Sequence, residues 1–109
     1  MNYSVRTIQP FDKQFKRYLK KYPSLKSELT ELINQLKEKP HIGTAIGRDC
    51  YKIRVAIASK GKGKAGGARV ITCVVVKDAE VYLLYMYDKS EQSNISDKEL
   101  LQLLEYIDE

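Results

Sequence analysis

Two basic residues two positions apart, Lys52 and Arg54, a third at Arg69, and the lysines Lys60, Lys62 and Lys64 between them are the side chains here best suited to holding an anion. From Cys50 to Lys77 there are seven Lys and Arg and no Asp or Glu. Lysine presents a point charge and arginine a planar fork able to donate two parallel N–H bonds, so a mixed cluster suits phosphate. A strand turns alternate side chains to opposite faces, which puts Lys52 and Arg54 on one side. Positive charge gathered on one section of a small chain draws polyanions, and nucleic acid is the commonest of them. A solvated basic face is the plainer reading. The formal net charge is +5, so the remainder of the chain is net acidic. That acidity is clearest from Asp88 to Glu109, where seven acids meet only Lys89 and Lys98.

The string KGKGKAGG carries the three lysines on four glycines, a composition that lets backbone approach a ligand closely. It formally matches GxGxxG, but a dinucleotide site needs a helix to follow and ARVITCVVV reads as a strand; a P-loop would end in Lys-Ser/Thr. The reading that remains is a hairpin loop, Ser59 to Gly67, able to clamp a phosphate backbone. His41, the single histidine, follows Pro40 with no Asp or Cys spaced to form a triad, and reads as a loop residue. Cys50 and Cys73 sit in apolar runs, where thiols act as small reduced hydrophobes. No cluster of ligands suggests a metal, and no cofactor is expected. Tyr82, Tyr85 and Tyr87 share one strand, with Tyr85 and Tyr87 on the same face, either covering the sheet or stacking on bases.

These residues need a scaffold, and 109 residues supply one domain, taken as 1–109. No run of about 18 apolar residues crosses a membrane, and the first ten residues have no apolar core of a signal peptide; the expected location is cytoplasmic. Asn2 to Ile8 suits a first strand. Phe11, Phe15, Tyr18, Leu19 and Tyr22 recur at helical spacing until Pro23, and Leu25, Leu29, Leu32, Ile33 and Leu36 repeat it until Pro40, with Ser24 as the cap between. Tyr51 to Ile57 alternates as a half-buried strand, Ala68 to Val76 is apolar on both faces, and Val81 to Tyr87 follows a short turn. Ser96 to Glu99 forms a capping box before Leu100, Leu103, Leu104 and Ile107. The fold class is therefore α+β: N-terminal strand, helical hairpin, three-stranded antiparallel sheet and C-terminal helix. The register of the basic hairpin stays open. Simple pairing about its loop leaves Arg69 close to Ile57, and a one-residue bulge brings it onto the face of Lys52 and Arg54.

Tyr51 to Arg54 (YKIR) and Gly67 to Ile71 (GARVI), after a helical hairpin and before a strand and terminal helix, resemble the RelE/ParE superfamily of bacterial toxins. The string RVAIASKGKGKAGGARVI followed by YLLYMYDKSEQSNIS is similar to its HigB/RelE-like branch. The resemblance covers nearly the whole chain. It implies the toxin of a type II toxin–antitoxin system, a ribosome-dependent mRNA endoribonuclease that inhibits translation. Its partners would be mRNA, the ribosome and a cognate antitoxin that sets the oligomeric state. Carried over residue by residue, it makes Lys52, Arg54 and Arg69 catalytic and Lys60, Lys62, Lys64, Tyr87 and Lys89 RNA-binding.

Metal-free cleavage of this kind needs a proton acceptor for the 2′-hydroxyl, a donor to the leaving 5′-oxygen, and cations around the phosphate. Lys52 would accept the proton, while Arg69, and Arg54 with it, would fork onto the phosphate oxygens. The family pattern further expects an arginine and a catalytic tyrosine near the C-terminus. The stretch here offers Lys89, Glu91, Gln92 and Ile95, leaving Tyr85, Tyr87 and Lys89 as substitutes. The alternatives are a non-catalytic nucleic-acid- or protein-binding module of the same fold and a gyrase-directed toxin. Codon preference and the antitoxin's identity are not written in the sequence.

Overall fold

A computed structural model describes residues 2–60 and 66–107. The elements run β1 (Ser4–Thr7), α1 (Gln9–Lys21), α2 (Leu25–Glu38), β2 (Thr44–Gly47), β3 (Cys50–Val55), β4 (Ala68–Val75), β5 (Glu80–Asp88) and α3 (Asp97–Leu104). The strands form one sheet in the order β1-β5-β4-β3-β2, antiparallel throughout except that β1 lies parallel to β5.

The helical hairpin forms as its spacing predicts. Pro10 occupies the first turn of α1, where its missing N–H costs nothing, and the chain leaves the helix at Tyr22 just before Pro23. Ser24 does not cap α2. Its backbone is helical, and its hydroxyl instead accepts from the Ser59 N–H at 3.0 Å, tying the hairpin to the chain that follows β3. The capping box on α3 is present as expected, with the Ser96 hydroxyl accepting from Glu99 N–H and the Glu99 carboxylate accepting from Ser96 N–H.

The α+β class and the order of elements hold, but the sheet has five strands rather than three. β1 joins it as an edge, and β2 adds the opposite edge by pairing with β3. The β2–β3 turn places Arg48 and Asp49 at φ of 56° and 61°, the mirror-image geometry that matches the twist of a hairpin. Gly43 fixes where β2 begins. Its φ is +100°, and a Cβ there would lie 2.6 Å from the Lys52 carbonyl oxygen.

Two apolar layers sandwich the sheet. Phe11, Tyr18, Leu32 and Leu36 from α1 and α2 pack on Ile53, Val70, Val74, Leu83 and Met86. Leu100 and Leu103 from α3 pack on the other face against Ile71, Cys73, Leu84 and Tyr87.

The basic hairpin pairs three residues earlier in β3 than simple pairing about its loop predicts. Val55 pairs with Ala68, and Ala56 to Lys60 leave the strand through a short 3-10 turn. This odd shift from symmetric pairing sets Arg54 directly opposite Arg69, with no bulge needed between them. A bulge does occur between β4 and β5, where Ile71 pairs with Tyr85 and Thr72 with Leu83, leaving Leu84 extra. Beyond it Tyr85 and Tyr87 turn to the α3 side, and Tyr87 faces Arg69.

Candidate nucleic-acid interface

Cross-strand partners share a face, so Lys52, Arg54 and Arg69 all point to the α3 side. Two like charges directly opposite each other destabilise an antiparallel pair. Arg54 is exposed and makes no ion pair among the described residues; Arg69 is 4% exposed, with one guanidinium nitrogen donating to the Ala68 carbonyl at 3.2 Å. Lys52 is half-buried and donates to the Asn94 side-chain oxygen at 3.4 Å. These three predicted catalytic residues are thus brought together.

The predicted RNA-binding residues divide. Lys60 turns inward: it ion-pairs with Asp88, their side chains 10% and 1% exposed, and its ammonium lies 5.8 Å from the Tyr22 ring centre. Its charge is matched by the Asp88 carboxylate at the end of β5. Tyr87 is wholly buried, so it has no face to offer a base. Tyr85 is the partly exposed ring of the pair, its centroid 6.4 Å from that of Tyr87. Lys89 is exposed. Lys62 and Lys64 lie outside the described residues.

The Tyr87 hydroxyl is buried and has no hydrogen-bond partner among the described residues. Burial pushes its pKa up, the Arg69 charge pulls it down, and Glu99 adds to the rise. The phenol therefore stays neutral behind Arg69.

Sequence reasoning missed the polar network beneath the site. Asp88 accepts from Tyr22 hydroxyl at 3.0 Å and from Ser90 N–H and hydroxyl at 2.9 and 2.8 Å, besides Lys60. Tyr18 hydroxyl accepts from Asp88 N–H at 3.0 Å and donates to Glu91, which also pairs with Arg17. This network pins the start of the segment that brings Asn94 to Lys52. The available signal was an acid at the end of a β-strand, followed two residues on by Ser90, a residue type that hydrogen-bonds locally.

Burial alone would raise the Asp88 carboxyl. The Lys60 ammonium, the Ser90 N–H and hydroxyl and the Tyr22 hydroxyl overcome it and hold the group at about 2, against an ordinary 3.8. A carboxyl lowered on folding stabilises the protein above its unfolded pKa, and that stability is lost as pH falls through the folded value. Urea unfolding is therefore expected to lose about 2 kcal/mol between about pH 5 and pH 2 through this group. Asp88→Asn should flatten that slope; an unchanged slope in the variant would show that another carboxyl carries it.

Among the described residues no group of His, Cys, Asp and Glu could hold a metal, and no helix is long and apolar enough to cross a membrane. The structure of a mutant of E. coli toxin RelE in the free state matches with a TM-score of 0.62 at 17% identity, covering 85% of this chain and 90% of that one. That mutant in complex with an antitoxin RelBc peptide matches at 0.50 and 17% identity, over 89% of this chain and 98% of that one. The likeness shows that this chain shares their fold. The family model of the RelE toxin of the RelE/RelB toxin–antitoxin system matches residues 11–108, and the chain belongs to this family. It is the toxin component of a type II toxin–antitoxin pair.

Proposed function

We propose that this chain is a metal-independent endoribonuclease that cuts mRNA on the ribosome and so inhibits translation, acting as one domain in the cytoplasm. The observation that carries this is the direct Arg54–Arg69 pairing with Lys52 on the same face. A phosphodiester seated between the two guanidiniums would relieve their repulsion, and the relief grows as a further negative charge builds up at phosphorus. The 2′-oxygen bonds to phosphorus and its proton passes to Lys52 or through it to water. The bond to the 5′-oxygen breaks, that oxygen takes up a proton, and a 2′,3′-cyclic phosphate remains. A cognate antitoxin with acidic or apolar side chains would silence the chain by covering this face.

One observation favours a second reading, binding without cleavage: the tyrosine nearest the cations, Tyr87, is sealed in the core and cannot reach a substrate. Expression of the chain without an antitoxin separates the two. Growth arrest with new mRNA 5′ ends inside coding regions is the expected result. Arrest with intact mRNA would overturn cleavage and leave binding, and accumulating DNA breaks would point to gyrase.

A further inference from the structure

Cys50 and Cys73 face each other directly across β3 and β4. The Val74 N–H donates to the Asp49 carbonyl at 2.9 Å, a bond that flanks the pair and makes it a non-hydrogen-bonded position. There the Cα atoms of an antiparallel ladder approach to about 4.5 Å, within the range a disulfide spans and at its short end. Both side chains point to the α3 face, and both sulfurs converge on one atom: Cys50 Sγ lies 3.4 Å and Cys73 Sγ 4.0 Å from the Arg48 carbonyl oxygen. The two are thiols in this structure.

We propose that Cys50 and Cys73 are a modification site, a cross-strand dithiol that closes to a disulfide by exchange with a small anionic disulfide. Cys73 is the entry point. It is 6% exposed against 1% for Cys50, and it lines an open groove with Arg48, Asp49, Lys77, Leu104 and Ile107, where two cations against one carboxylate leave a net positive charge to hold the carboxylates of such a reagent. Cys73 loses its proton to water and its sulfur attacks the reagent, forming a mixed disulfide and releasing one thiol. Cys50 then loses its proton and attacks the Cys73 sulfur, releasing the second thiol. Two electrons and two protons leave the protein and reduce the reagent to two thiols. A hydrogen bond to Cys73, and burial after it, hold the Cys50 thiol protonated, so closure is slow near neutrality and faster in mild alkali. This inference stands independently of the cleavage reading.

The test uses the full chain with excess oxidised glutathione at about pH 8, then N-ethylmaleimide in denaturant and intact mass. The main species should be lighter by two hydrogen atoms with no maleimide attached, should take up two maleimides after dithiothreitol, and should melt about 10 °C higher than the reduced chain. Two maleimides without reduction, a lasting glutathione adduct on the native chain, or a cross-linked dimer would each overturn the site. Cys50→Ala should stop at a glutathione adduct on Cys73; absence of that adduct would overturn Cys73 as the attacking thiol.

Discussion

Arg69→Ala is expected to lower mRNA cleavage on programmed ribosomes by about 100- to 1,000-fold, the scale of removing one preorganised donor to a developing negative charge. The geometry sets the size of the effect. Arg69 is nearly buried and directly opposite Arg54, so a phosphate held between them meets one of its two forks at a site that water cannot easily replace. Arg69→Lys should recover little, because an ammonium cannot donate two parallel bonds from a fixed plane. Rates would be read by primer extension at saturating ribosomes, with circular dichroism to show that each variant keeps its fold. A loss below about fivefold in a folded Arg69→Ala chain, roughly 1 kcal/mol by the usual conversion, would remove Arg69 from the machinery.

The second large effect is on stability. Asp88→Ala should cost about 3–5 kcal/mol in urea unfolding, because it strands the Lys60 ammonium and the Tyr22 hydroxyl in a site closed to water. Replacing both partners together, Lys60→Met with Asp88→Leu, should recover most of that, since apolar side chains of similar size carry no desolvation penalty. An Asp88→Ala cost under about 1 kcal/mol would mean that the pair behaves like one on an open surface. The variant should also weaken cleavage, because Asp88 holds Ser90 and so the base of the segment that delivers Asn94 to Lys52.

Where periodicity decided the outcome, the sequence was readable. The stripes from Phe11 to Tyr22 and from Leu25 to Leu36 became α1 and α2, and the Ser96–Glu99 box became the start of α3. β2 was missed because Thr44 to Gly47 is four residues with no strong alternation, held by its hairpin turn and by the fit of Gly43 against Lys52. The register of β3 against β4 could not be read because β4 is apolar on both faces. A slip there moves hydrophobic side chains from one core to the other with little loss, so the pattern does not choose. For the site, type and spacing correctly grouped Lys52 with Arg54. Charge alone could not show that Lys60 turns inward, since its partner Asp88 is distant in sequence and belongs to another strand.

The extra residue at Leu84 puts the two halves of β5 out of phase. Up to Leu83 the strand obeys one alternation and after Leu84 the opposite one, so each half is in step only with its own neighbours. Losing Leu84 alone would close the bulge with Thr72 still opposite Leu83 and Ile71 still opposite Tyr85, so the tyrosines would keep their face. What the extra residue changes is the filling of one layer: Leu84 and Tyr85, neighbours in the chain, both pack on the α3 side. The bulge thus adds one apolar side chain beneath α3 without altering the pairing before or after it.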